Sequence, residues 1–372
     1  MMYRFRYLLC FIIAASLACN KMSAQQRVID AVDSVAVVAA TVFSDGGKLI
    51  GLTNEQGELP AALESDYPLT IRCIGYEGTE VATPLSATIF LTPQCFELGE
   101  AIITPGDPEV LQLTCYARSY QKVFTDTCRL EDTYAEHMVN IFIPVATGKK
   151  AKKAKKAADG NPRIIAERVW TIRHKNGRDT LIKDGHTRPL SLSLERLSEE
   201  EDTIPLKLLK STKEQATHSI KGKFGPKVVY SRTDDNLTVA HYPLADKENG
   251  TVSVPKALVF ILGMNVDVTQ YYRMRSYNMS STQTPSIKDL ISFAKAFDVT
   301  TSGRLIRIAY DHKEVKMSLH TEFYVVKAEY ISADAAKDRA KLRLAAPKFN
   351  IPASAPKLDA ATLELIKKVD GK

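Results

Sequence analysis

One tryptophan and six cysteines in 372 residues leave little room for several common designs. No CxxC pair occurs, which argues against a thiol-redox centre or a structural zinc site. HExxH, GxSxG, a Walker loop, GxGxxG and an EF-hand loop are all missing. The seven histidines are scattered, none within four residues of another, so no helical metal pair can form. Beyond the first 24 residues no apolar run reaches the 18 or so residues a membrane helix needs. The stretch 257–266 reads as a buried strand. These absences point to a protein with no catalytic residues, metal or cofactor of its own, and not to a membrane-spanning one.

What is present is ordinary for a folded chain: 45% hydrophobic and 25% charged residues. Fifteen tyrosines, with abundant Val, Ile and Thr, favour strands. Arg4 and Arg6 precede an apolar run from Leu8 to Ala18, and Ser23 and Ala24 follow as small residues. This is the pattern of a signal peptide over residues 1–24 and implies export, to the periplasm or outer membrane. Two processing routes stay open: cleavage after Ala24, or lipid attachment at Cys19, where Ser16-Leu17-Ala18-Cys19 approximates a lipobox.

Basic charge is concentrated. With Arg4, Arg6 and Lys21 set aside, 47 basic residues stand against 43 acidic ones, a charge of +4. Six of the 47 are Lys149, Lys150, Lys152, Lys153, Lys155 and Lys156. Like charges so close repel one another and stay solvated, so the run is expected to be a mobile loop. Its functional alternative is contact with an anionic surface. A nucleic-acid partner is not expected, since no basic face interleaved with aromatics is seen. An envelope protein or an anionic surface is the partner class that remains.

Cleavage after Ala24 would leave Cys73, Cys95, Cys115 and Cys128, for which three complete pairings exist. Pairing of neighbours, Cys73 with Cys95 and Cys115 with Cys128, is the simplest. The alternative for Cys73 is a small buried apolar residue.

From 27 to 104 short apolar stretches alternate with turns. Asp45-Gly46-Gly47 and Asn54-Glu55-Gln56-Gly57 are turn sequences. Leu69, Ile71 and Cys73 share one face of a strand whose other face carries Thr70 and Arg72. Strands at this spacing read as an antiparallel sandwich. Three segments then resemble the carboxypeptidase regulatory-like domain: Gly51-Leu52-Thr53-Asn54-Glu55-Gln56-Gly57, Ile71-Arg72-Cys73-Ile74-Gly75-Tyr76-Glu77, and Ile89-Phe90-Leu91-Thr92-Pro93 followed by Leu98-Gly99-Glu100-Ala101-Ile102-Ile103-Thr104. The resemblance implies a seven-stranded sandwich over 25–104 with no peptidase residues, serving as scaffolding or an interaction module. Arg27-Val28-Ile29 and Leu59 depart from the family pattern, which puts the register of the first strand in question.

Residues 105–345 are expected to form an α+β domain rich in antiparallel strands. Asp107-Pro108 with Val110, Leu113, Tyr116, Tyr120 and Phe124 predicts a helix, and Ile287, Leu290, Ile291, Ala294 and Phe297 predict another. A third is expected over 332–344. Lys175-Asn176-Gly177 predicts a hairpin, and strands are expected near 226–231, 237–242, 256–276, 304–310 and 315–331. A Pro-rich linker and a short helix occupy 346–372. The expected function is a non-catalytic exported binding or structural protein, its sandwich bracing the larger domain. Two alternatives stand beside it. One is a lipid or lipoprotein carrier whose cavity is lined by Tyr271, Met274 and Phe323. The other is an envelope hydrolase drawing on His241 or His312.

Overall fold

The computed structural model describes residues 26–45, 47–62, 64–73, 75–84, 88–94, 108–184, 286–341, 349, 351–353 and 355–371. Between 215 and 278 it also describes the strands 215–219, 227–232, 236–242, 252–253 and 264–278.

Among the described residues six short strands build the N-terminal module: β1 Arg27–Asp30, β2 Thr41–Phe43, β3 Leu49–Leu52, β4 Leu69–Arg72, β5 Thr79–Val81 and β6 Thr88–Leu91. Four of them form an antiparallel sheet in the order β3-β2-β4-β5. The remaining pair, β1 and β6, runs parallel, Val28 facing Ile89 and Asp30 facing Leu91. This departs from the wholly antiparallel sandwich expected, because apolar alternation specifies which face is buried but not the direction of the neighbour. Leu69, Ile71 and Cys73, which alternation places on one face, are buried together and meet Val28, Val42 and Leu91 in one core. The strand expected at 101–104 lies outside the described residues.

The rest is dominated by one long antiparallel sheet. Its strands are β7 Val110–Phe124, β8 Arg129–Pro144, β9 Pro162–Lys175, β10 Arg178–Lys183, β11 Gln215–Ser219, β12 Lys227–Arg232, β13 Asn236–Tyr242, β14 Val252–Ser253, β15 Met264–Asn278, β16 Leu290–Gly303 and β17 Glu314–Ile331. They lie in the order β10-β9-β8-β7-β17-β16-β15-β13-β12-β11, with β14 added beside β15. Among the described residues four helices accompany them: α1 Gly148–Ala157, α2 Arg304–Tyr310, α3 Ala333–Arg339 and α4 Ala360–Asp370. The protein is mainly β, as expected.

Two expected helices are strands. Residues 110–124 form β7, and 287–297 form a single 3-10 turn at Ile287–Asp289 leading into β16. The cause is burial on both faces. Leu111, Leu113, Cys115 and Ala117 of β7 enter one core, while Tyr116, Arg118 and Tyr120 point the other way and are also covered. In β16, Phe293 joins that core, and Ala294 packs against the module on the opposite face. A strand covered on both faces carries apolar residues at both parities, so a 3.6-residue spacing can be read into it. The reverse error occurs at 304–310, expected as a strand and observed as α2. Gly303 breaks β16 with φ of 129°, and Asp311, left-handed at φ of 61°, caps the helix through its N–H to the Arg307 carbonyl. The Asn176-Gly177 hairpin joins β9 to β10 as expected, both residues at positive φ.

The lysine run is a helix and not a loop. Its alanines form a seam: Ala154 and Ala158 are buried against Val110, Phe142, Ile331, Ala333 and Ala336. Alanine is the best helix former and lysine a good one. Burial of the seam outweighs the repulsion among side chains that all point to water. Cys73, Cys115 and Cys128 are free thiols. Cys115 sits in mid-β7 opposite Val139, whereas Cys128 lies in the turn beyond Phe124. The strand between them puts the two about 30 Å apart at ~3.3 Å per residue, far beyond disulfide reach. Cys95 lies outside the described residues, as does any pairing that involves it.

Candidate functional site at the junction of module, sheet and C-terminal helix

The alternation in β4 that buries Leu69 and Ile71 turns Arg72 outward, towards the long sheet. There it meets the module-facing side of β7 and β17, where the same alternation presents Tyr120, His320, Glu322 and Tyr324. The guanidinium lies 4.2 Å from the Tyr120 ring centroid and 3.8 Å from Glu322 Oε1. It also forms an ion pair with Asp359. Asp359 is the N-cap of α4 and accepts the Thr362 N–H at 2.7 Å. One arginine thus touches all three parts of the fold.

Glu322 is held from every side. His320 Nε2 stands 2.8 Å from its Oε1, and the Tyr324 hydroxyl donates to its Oε2 at 3.0 Å. Burial by itself would raise its pKa. The His320 contact, with Arg72 and Arg118 close by, overrides that and brings it down to about 2. Beside it lies a second buried carboxylate, Glu136, which accepts from the hydroxyls of Tyr116 at 2.8 Å and Tyr134 at 2.9 Å and pairs with Arg168 at 2.7 Å. Arg118 donates to the Tyr116 hydroxyl and to the carbonyl of Pro356 at 2.5 Å, tying down the segment that leads into α4. Burial pushes the phenols of Tyr116, Tyr120, Tyr134 and Tyr324 upward, so all four stay neutral; Tyr116, Tyr134 and Tyr324 donate to the two carboxylates, while Tyr120 accepts from Arg72.

The module is fastened elsewhere too. Leu49 N–H donates to Ser318 Oγ, which donates in turn to Asp298 Oδ1. Burial lifts the Asp298 carboxyl to about 6, against the opposing pull of Ser318 and Lys48. Met274 and Ala294 of the sheet complete the module's own apolar core. Helix α4 lies across β8 and β9, with Leu365 and Val369 against Tyr134, Trp170 and Ile172. Trp170 Nε1 donates to Asp370 at 2.9 Å, and Lys368 pairs with Asp179 at 2.6 Å.

A cleft opens between these parts, lined by Phe43, Arg72, Tyr120, Lys122, Tyr134 and Asp359 among others. The space within it is about 50 Å³, enough for a few water molecules. Both cations in its wall already face carboxylates, Arg72 as described and Lys122 with Asp132 at 3.2 Å. The arrangement is that of a clamp: its charges are satisfied by one another, and what they hold is the chain itself.

Sequence reasoning placed Arg72 on the outer face of its strand but did not link it to Glu322 or Asp359, which come from remote segments. Its expected sites fall elsewhere. The six lysines lie on α1 at one end of the sheet. Tyr271, Met274 and Phe323 do not share a cavity. Tyr271 packs edge-on against Phe297, Phe323 stacks on Phe293 at 4.2 Å, and Met274 faces the module. His312 stands in the turn after α2 and does not line the cleft, and His241 lies within β13, paired with Val228. Among the described residues no group of three His, Cys, Asp or Glu could hold a metal ion, and no helix is long and apolar enough to cross a membrane.

No family model matches the chain, and no curated protein does. Among solved structures, one of lipovitellin, described for its lipid–protein interactions, is similar at 10% identity and a TM-score of 0.29. The match covers 69% of this chain and 28% of that one, so this chain spans less than a third of that protein's length. What the fold itself defines is a β-rich protein whose long sheet is clasped on one face by its two terminal parts.

Proposed function

We propose that this chain is a non-catalytic binding or structural protein exported to a bacterial cell envelope, in which the N-terminal module braces the long sheet. The observation that carries the bracing role is the Arg72 junction, where one buried guanidinium joins the module to Glu322 of the sheet and Asp359 of the C-terminal helix. A module that merely hung from the sheet would present its polar strand face to water. Here that face is spent on holding the sheet. The charged and apolar pattern of residues 4–18 supports export, and the likeness of the module to carboxypeptidase regulatory-like domains supports a scaffolding role.

Two measurements test this. In thermal or urea unfolding, a braced module melts in one cooperative transition with the sheet. A separate early transition of the module would overturn the bracing role. Intact mass of the protein from fractionated cells tests export, expected to show a start at Gln25 or a lipid on Cys19. An unprocessed chain in the cytoplasm would overturn that part.

A further inference from the structure

Helix α1 is built to show charge. Its repeating Lys-Lys-Ala order puts an alanine every third residue along the buried seam and leaves the six lysines exposed. Lys149, Lys152, Lys155 and Lys156 have no carboxylate partner among the described residues, and Lys153 reaches Asp334 of α3 at 2.7 Å. Lys337 of α3 stands 3.6 Å from the other oxygen of the same Asp334, so two lysines share that one carboxylate. Val110, Phe142 and Ile331, against which the alanines pack, are at or near the ends of their strands, so α1 caps one end of the sheet.

The residue choice narrows the partner. The exposed side of α1 carries no arginine and no aromatic. It therefore lacks the bidentate fork that reads a shaped anion and the ring that stacks on a base or sugar. Lysine is a compact, hydrated point charge, and many of them spread over about 15 Å of helix suit a surface with many fixed anions and no defined geometry. We infer that α1, with the adjoining lysine of α3, is an electrostatic docking surface for a bilayer rich in anionic lipid headgroups. Contact there leaves the Arg72 junction untouched, so this inference and the bracing role fail independently.

The test is co-sedimentation of the full chain with vesicles of phosphatidylglycerol mixed with phosphatidylcholine, against phosphatidylcholine alone. Binding is expected only to the anionic vesicles and should be lost when salt rises from ~0.05 to ~0.5 M. The quadruple variant Lys149→Gln, Lys152→Gln, Lys155→Gln and Lys156→Gln keeps Lys153 and its Asp334 pair. Glutamine is a comparable helix former, so unfolding should be unchanged. Its partitioning should drop by two to three orders of magnitude, about fivefold per charge removed. The corresponding Lys→Arg variant should bind like the parent. Equal binding to neutral vesicles, full binding by the Gln variant, or adsorption to soluble heparin but not to anionic vesicles would each overturn the inference.

Discussion

Arg72, the last residue of a module strand, and Asp359, the cap of the C-terminal helix, form an ion pair in the wall of the cleft. Neither end of the described chain is therefore independent of the other. Removing the arginine would leave Glu322 buried with only His320 and more distant charges to balance it. Arg72→Met should lower stability by about 3–5 kcal/mol, and Asp359→Ala by about 1 kcal/mol from the lost cap plus its share of the pair. Urea denaturation of both single variants and the double variant checks this. A coupling energy of about 0.5–3 kcal/mol is expected, and strict additivity would show that the two residues do not act together.

Asp298 predicts a pH dependence of opposite sign to that of most carboxylates. Its pKa stands at about 6 in the folded chain against an ordinary 3.8. The folded state therefore holds the proton more tightly. Stability from this group is greatest below the ordinary value and falls as pH rises through the window up to about 6. Asp298→Asn keeps an acceptor for Ser318 and removes the charge. At pH 7.5 it should gain about 1–3 kcal/mol, and near pH 4 it should gain little. Unfolding midpoints at the two pH values decide the matter.

Gly57 and Gly177 both have positive φ but differ in their surroundings. A Cβ on Gly57 would meet the Val28 carbonyl at 2.4 Å, whereas nothing lies within 4 Å of one on Gly177. Gly177→Ala should cost about 1 kcal/mol from the backbone alone. Gly57→Ala should cost more, about 2–4 kcal/mol, because the β1 backbone must move as well. Thermal melts of the two variants should rank them in that order.

The thiols should react unequally. Cys128 is exposed, and Cys73 and Cys115 are buried, the Cys73 thiol being pushed up to about 12 by burial. Iodoacetamide should alkylate Cys128 in the native protein, and Cys73 and Cys115 only after denaturation. Mass spectrometry of the tryptic peptides reads this directly. A Cys115–Cys128 disulfide peptide would contradict the fold around β7.

The class of the fold could be read from alternation and turn chemistry: Leu69 and Ile71 facing inward, Asn176-Gly177 closing a hairpin, and a short terminal helix, whose expected apolar side of Leu363, Ile366 and Val369 was right only in part, since Leu363 is exposed and Leu365 is buried with Val369. Helix and strand were confused where burial removed the contrast on which periodicity depends. At 110–124 and 290–297 both faces are covered, so the polar stripe that marks a half-exposed strand is missing. At 149–156 the lysines outnumber the alanines, and charge repulsion hid a seam visible only once its partners Phe142 and Ala336 are in place. The Arg72 junction was not legible at all. Nothing local distinguishes an arginine bound for solvent from one that a distant glutamate and a helix cap will enclose.

The order of amino acids by itself determined that this chain is rich in strands, where its tight turns fall, and that its positive charge is concentrated in one short run. These are local properties, set by side-chain shape, backbone freedom and the spacing of charge along the chain. Only the tertiary structure decided that β7 and β16 are central strands, that the lysine run is a helix, and that the module and the C-terminal helix close on one face of the sheet. Those outcomes depend on burial and on pairing between segments far apart in the chain. Their free energy exists only once both partners have been brought together.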